Sequence, residues 1–248
     1  MNRWKAAAIH LSISVVLAAL VGSLLYFVWF PAPYFVAAGG GGLILLLMGV
    51  DVVIGPLITL LVVNRNKARK LLLLDLSIIG ALQMIAFGYG LHVITNARPV
   101  FIVVEQDRLV IVSAQDLSDA DLAKGNRPEF RIRSWAGPVL VGALPPQGKG
   151  ADDLLFKTLG SGKDIDQMPL YYMPYDQVID GTLKKYAKPL ASLKKATDSQ
   201  RAYLSRLQAQ MPGQTLEVLP LQRGDNNYAA IISTVSKRPI AVLPIDPW

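Results

Sequence analysis

Only eight charged side chains occur in the first 95 residues, and the stretches between them are long and apolar. From Ala6 to Phe30 there are 25 residues without an Asp, Glu, Lys or Arg. At about 1.5 Å per helical residue, such a run exceeds the ~30 Å hydrocarbon thickness of a bilayer. Lipid cannot satisfy backbone hydrogen bonds, so a run of this kind crosses as a helix. Two similar runs cover about residues 42–63 and 71–95, and 35 of the chain's 43 charges lie beyond Thr95. The sequence therefore predicts a membrane domain over residues 1–95 with three transmembrane α-helices, at about 6–30, 42–63 and 71–95. An α+β extracytoplasmic domain is expected over residues 96–248.

A cleaved signal peptide is the rival reading of the first run, since Asn2-Arg3-Trp4-Lys5 looks like a basic leader and Val36-Ala37-Ala38 like a cleavage site. The apolar stretch is too long for it, because signal cores occupy only ~7–15 residues. Trp29, Phe30, Tyr34 and Phe35 read as an interfacial aromatic belt, with Pro31 and Pro33 stopping the helix.

Lysine and arginine close to a span resist translocation. Arg3 and Lys5 precede the first run and four basic residues lie in the loop 64–70, whereas the loop 31–41 has none. The expected orientation is N-terminus in and tail out, which in a Gram-negative cell means a multi-pass inner-membrane protein with a periplasmic domain.

An ionised carboxylate in mid-span costs about 2.5–3.5 kcal/mol on insertion scales, so Asp51 demands a reason. Asp51, Gly55 and Thr59 recur every fourth residue and are expected to share one helix face, with Pro56 loosening the helix. Depth arithmetic places Gln83 of the third span level with Asp51, as a hydrogen-bond partner within the bundle. The competing readings of Asp51 are contact with a polar group on a partner's membrane helix and a proton or ion pathway, for which three helices with one carboxylate are a poor conduit. Small residues Ser14, Ala18 and Gly22 of the first span form a packing face. His10, Thr59 and Asp75 should lie near the cytoplasmic surface as a polar cluster with an anchoring role.

In the tail, β-branched or alternating runs mark strands at Val100–Glu105, Leu109–Ser113, Arg131–Trp135 and Val139–Gly142. A terminal antiparallel meander is expected over Thr215–Gln222, Tyr228–Val235 and Ile240–Leu243, with a turn at Gly224-Asp225-Asn226-Asn227. Helices are expected at Asp152–Leu159, Tyr175–Ala196 with a kink or break at Pro189, and Asp198–Met211 with Asp198 as N-cap. The aromatic segment Leu170–Tyr175 suits either burial in the core or a protein interface.

Composition excludes several chemistries. There is no cysteine, and the only histidines are His10 and His92. Thiolate catalysis, zinc–thiolate sites and a histidine-rich metal site in the tail are therefore ruled out. No Ser-His-Asp set, G-x-S-x-G elbow or phosphate-binding loop is present. No cofactor and no metal ion is expected. Asp152-Asp153 and Asp164-x-Asp166 could hold a cation or serve glycoside chemistry, but such pairs are common in exposed loops. The tail's basic residues alternate with acids and carry no aromatic RNA-binding motif, so nucleic acid is not an expected partner.

Several segments taken together carry a family resemblance. They are Arg3–His10, Trp29-Phe30-Pro31-Ala32-Pro33-Tyr34-Phe35, the run Gly49 to Leu60 that contains Asp51, Gly55, Pro56 and Thr59, and Ala97-Arg98-Pro99-Val100-Phe101. The chain resembles the TfpX/TfpZ family of type IV pilin accessory proteins, which includes FimB-like and TfpB-like members. The resemblance covers the membrane half and the start of the tail. It implies an inner-membrane accessory protein, not an enzyme, that assists the major type IV pilin in stability, assembly into the pilus or pilus dynamics. Expected partners are the major pilin, membrane lipids and the pilus assembly machinery. Asp51, Gly55, Pro56, Thr59 and Gln83 are the candidate partner-binding residues, and His10 and Asp75 the candidate polar cluster. The alternatives are a membrane-embedded transferase acting on pilin or lipid-linked groups, which would need clustered acids, bases or metal ligands at the membrane surface, and a ligand-binding sensor subunit.

Overall fold

The computed structural model of the protein describes residues 2–63, 67–146, 158, 160 and 162–248. Three of its helices are long and apolar enough to cross a membrane: Arg3–Trp29, Gly40–Val62 and Arg69–Ala97. Phe27, Leu45, Leu61, Leu82 and Tyr89 point outward from them and are exposed. A water-facing helix would place polar side chains there. The first helix widens into a π-helical turn over Leu25–Trp29, just ahead of Pro31. The second is α-helical over Gly40–Met48, π-helical over Gly49–Ile54 and α-helical again over Gly55–Val62, with Pro56 at the restart. Proline lacks the N–H that would bond back one turn, and the wide turn before it absorbs the mismatch.

The chain divides into two compact units, Met1–Val28 with Gly39–Ala97, and Trp29–Ala38 with Arg98–Trp248. The loop after the first helix thus belongs with the tail. Trp29, Phe30, Tyr34, Ala37 and Ala38 are buried, where a belt of membrane-surface aromatics would leave them accessible.

Among the described residues of the second unit, the strands form one eight-stranded mixed sheet. They are β1 (Pro99–Val104), β2 (Leu109–Ser113), β3 (Val139–Ala143), β4 (Tyr172–Pro174), β5 (Lys188–Pro189), β6 (Leu216–Arg223), β7 (Asn226–Ser233) and β8 (Pro239–Leu243). Their order is β4-β3-β1-β2-β6-β7-β8, with β5 paired to β6. β1 lies antiparallel to β2 and parallel to β3, while β2 meets β6 in parallel through Leu109↔Leu221 and Val110↔Gln222. Every residue of β1 and β2 is buried, as continuous apolar runs in a central position require. The β6–β7 register pairs Arg223 with Asn226. Gly224 and Asp225 are therefore the turn, and Gly224 supplies its positive φ of 53°.

The apolar core gathers Phe101, Leu122, Phe130, Val141 and Tyr172 in one cluster and Leu204, Val218, Ile231 and Ala241 in another. The Tyr172 ring meets those of Phe101 and Phe130 edge-on, at 5.1 and 5.9 Å. Tyr172 and Tyr175 are buried in the domain's own interior, while Leu170 of the same segment stays exposed.

Several expected elements differ. Arg131–Trp135 is not a strand: Arg131 Nε donates to the Gly125 carbonyl and Arg133 to those of Ala114 and Leu117. These side chains tether an irregular loop that leaves Ile132 and Trp135 exposed. The long helix expected over Tyr175–Ala196 is confined to Ile179–Tyr186, because Pro189 enters β5 opposite Glu217. The helix Asp198–Ala209 is capped by Thr197 in a capping box with Gln200, so Asp198 falls in the first turn. The helix expected over Asp152–Leu159 lies outside the described residues.

Gly142 in β3 shows how tightly this sheet is covered. A Cβ there would lie 2.3 Å from Val178 Cγ2 and 2.8 Å from Val178 Cβ. Gly142→Ala is expected to destabilise the tail unit by about 1–3 kcal/mol. Adding Val178→Ala should return part of the loss, since it removes the nearer contact and keeps the second. Thermal unfolding of the full-length protein in detergent, followed by tryptophan fluorescence, checks this; strictly additive losses would refute the contact.

Candidate functional site

Gly55, Pro56 and Thr59 are the buried residues of the helix segment Gly55–Val62, which packs on the first helix. His10 Nδ1 and Thr59 Oγ1 lie 2.6 Å apart in a hydrogen bond. Without a side chain, Gly55 leaves room for two polar groups: a Cβ there would lie 1.8 Å from Gln83 Nε2 and 3.2 Å from His10 Nε2. His10, Gly55, Thr59 and Gln83 therefore converge where the three helices meet. A hydrogen bond made inside a low-dielectric bundle is protected from competition by water, so this junction can fix helix register.

Asp51 stands elsewhere. It lines an apolar groove of about 190 Å³ with Leu43, Val50, Ala86, Tyr89 and Gly90. Among the described residues no hydrogen bond joins it to Gln83. The helix is π-helical over Gly49–Ile54, so Asp51 and Gly55 are not related by ordinary α-helical spacing. Asp75 also departs from the expected cluster, because it pairs with Lys67 and not with His10. Gly22, expected on a packing face, has open space where a Cβ would sit.

In the second unit, Arg98 directly follows the third helix. Its guanidinium carbon lies 4.0 Å from the centre of the Trp135 ring and 5.9 Å from that of Trp29, and the two rings are 5.7 Å apart. Burial pushes the Tyr34 phenol pKa upward, Tyr175 acts in the same direction and Arg238 opposes it. The loop Trp29–Ala38 is thus held by stacking at one end and by a buried phenol at the other.

A polar cavity of about 420 Å³ opens beside β1 and β2. Glu105, Asp164 and Asp166 place carboxylate oxygens within 4.8 Å of one another there. Glu105 and Asp166 are only 6% and 7% exposed. Arg108 Nε stands 3.1 Å from Glu105 Oε2 and Arg108 Nη2 stands 3.9 Å from Asp164 Oδ2. Burial, reinforced by Asp166, raises the Glu105 pKa to about 7, against the pull of Arg108. Burial, reinforced by Asp164, raises that of Asp166 to about 6. The pair Asp164-x-Asp166 is visible in the sequence, but Glu105 joins it only through the fold. The available signal was a charge placed directly after a run of buried strand residues.

Comparison with known proteins follows the same lines. The profile of the family described as fimbrial assembly protein FimB matches residues 1–39, the first helix and the loop after it. The fimbrial assembly protein of serogroup I from Dichelobacter nodosus is 34% identical over 187 residues, covering 75% of this chain and 72% of its own length. The serogroup E1 protein of the same organism matches at the same identity and coverage. The protein of serogroups C1 and C2 is 41% identical over 113 residues, 46% of this chain and 86% of its own. No solved structure matches. With the family profile matching residues 1–39 and two such relatives 34% identical over 187 residues, the chain belongs to the FimB family of fimbrial assembly proteins.

Proposed function

We propose that the chain is a non-catalytic accessory protein of the bacterial inner membrane that binds the major type IV pilin and assists its stability or assembly. Its three apolar helices cross the bilayer, with the N-terminus cytoplasmic and the tail unit periplasmic. A pilin subunit waiting in the membrane is one apolar helix with a head outside, and a helical bundle plus an exterior domain can touch both parts. The observation that carries this reading is the groove at Asp51. A carboxylate among apolar and small side chains suits a neighbouring helix that brings a polar or cationic group. Proteins of fimbrial assembly among the relatives favour pilin as the owner of that helix.

The orientation is supported by the loop Trp29–Ala38, which folds into the same unit as Arg98–Trp248. Loop and tail then lie on one side of the membrane, opposite the basic residues near the N-terminus and at Lys67, Arg69 and Lys70. The cysteine-free sequence allows a direct test. Cysteines placed at Val36 and Asp198 should react with a membrane-impermeant maleimide in intact spheroplasts, and one at Lys70 only after lysis. The reverse pattern would overturn the orientation.

Binding is tested by co-purification of pilin with full-length variants. Losing one polar contact between membrane helices corresponds to about a 3- to 30-fold drop in affinity. Asp51→Leu should therefore lower recovered pilin by that order, and Asp51→Asn by less. Deletion of the tail should weaken capture further. Gly55→Leu, which collides with Gln83 and His10, is expected to reduce accumulation of the protein itself. That outcome separates bundle packing from partner contact. Unchanged pilin recovery with both Asp51 variants and the tail deletion would discard the model.

A further inference from the structure

We propose that the cavity at the end of β1 is a binding site for a divalent cation of the calcium class, held by Glu105, Asp164 and Asp166. Two independent observations point to it. The three carboxylates converge from two places in the chain, the end of β1 and the 3-10 turn Ile165–Gln167, with oxygens within 4.8 Å of one another. In addition, Glu105 Oε1 is fully buried with no hydrogen-bond partner. An orphaned buried carboxylate oxygen is costly and marks a position where a ligand belongs.

Neighbouring groups hold the carboxylates in place without occupying that oxygen. Arg108 sits on the other oxygen of Glu105, Oε2. The Glu105 backbone is fixed at both ends, its N–H donating to the Arg108 carbonyl and its carbonyl accepting from Thr182 Oγ1. Asp164 Oδ1 accepts from the Ile165 N–H, which turns the 3-10 segment toward the cavity.

The charge balance selects the valence. The charged residues lining the cavity are Glu105, Asp116, Asp164 and Asp166 against Arg108 and Arg223. With its four carboxylates deprotonated, the state in which they ligate a metal, the lining holds two more negative than positive groups, which one divalent ion cancels. Calcium accepts irregular sets of six to eight oxygens at about 2.3–2.6 Å, whereas magnesium demands a near-ideal octahedron, so three carboxylates from an irregular turn and a strand end suit calcium better. Cavity water can complete the coordination, and an ion here would clip the turn after Lys163 to the central strand.

The test uses the full-length protein in detergent, stripped with a chelator and titrated with calcium chloride or magnesium chloride. In the wild type, about 5 mM calcium should raise the thermal midpoint by about 5 °C, and magnesium should do less. Glu105→Gln and Asp164→Asn should each lose most of that shift, while Asp198→Asn, an exposed acid on a distant helix, should keep it. Tyrosine- or tryptophan-sensitised terbium luminescence gives a second readout on the wild type, with the emission displaced by calcium. Asp164 is largely exposed, so Asp164→Asn serves where Glu105→Gln does not fold. Absence of a calcium shift in the wild type, an equal shift with magnesium, or a full shift in a folded Asp164→Asn protein would overturn the site.

Discussion

The contact on which the architecture turns is the guanidinium of Arg98 placed over Trp135 and beside Trp29. Arg98 is the first residue after the helix Arg69–Ala97, and Trp29 is the last of Arg3–Trp29. Two chain positions separated by 68 residues of helix and loop are thereby joined at one stack. A planar cation stacks favourably on aromatic faces, and here Arg98 and Trp29 are buried while Trp135 stays exposed. This junction commits the loop Trp29–Ala38 to the tail unit. Phe30, fully buried, and Tyr34 then add the apolar area that a ten-residue loop needs to be ordered.

A second constraint acts through Pro56. Its missing N–H forces the turn before it to widen, and the turn that widens contains Asp51. The result is a division of polar groups inside one bundle. Gln83 and His10 go to the space left by Gly55, and Asp51 goes to a groove between other faces.

What the sequence revealed follows from the range of the forces involved. The apolar helices were legible because long uncharged runs are a simple local signal, and the helix ends fell within a few residues of expectation. β1, β2, β3 and the terminal meander were legible because β-branched runs and the Gly224-Asp225 turn encode them locally. Arg131–Trp135 alternates like a strand, yet its arginines find carbonyls at Gly125, Ala114 and Leu117, and no local pattern announces such partners. Thr197 displaced Asp198 as cap because Gln200 completes the reciprocal box. The loop aromatics carry the composition of a membrane-surface belt, and distant residues, Arg98 and Trp135 at Trp29 and Tyr175 and Arg238 near Tyr34, accompany the part of it that turns inward. The same holds for the carboxylate cavity: Asp164-x-Asp166 can be read in a line, but Glu105 comes from a strand about 60 residues earlier.

These two polar features obey opposite electrostatic logic. In the helical bundle, the His10 and Thr59 side chains hydrogen-bond each other and the Gln83 amide lies beside the same Gly55 gap, so the junction matches polar groups from within. In the sheet domain, Glu105, Asp164 and Asp166 are of one sign, and burial makes their repulsion worse. A single guanidinium at 3.1 Å relieves one oxygen of Glu105 and leaves the other unmatched. Asp51 lies between these cases, since it is one carboxylate in an apolar groove with no like-charged neighbour lining it. The sheet cluster therefore gathers like charges around an unmatched oxygen, whereas the groove surrounds a single carboxylate with apolar and small side chains.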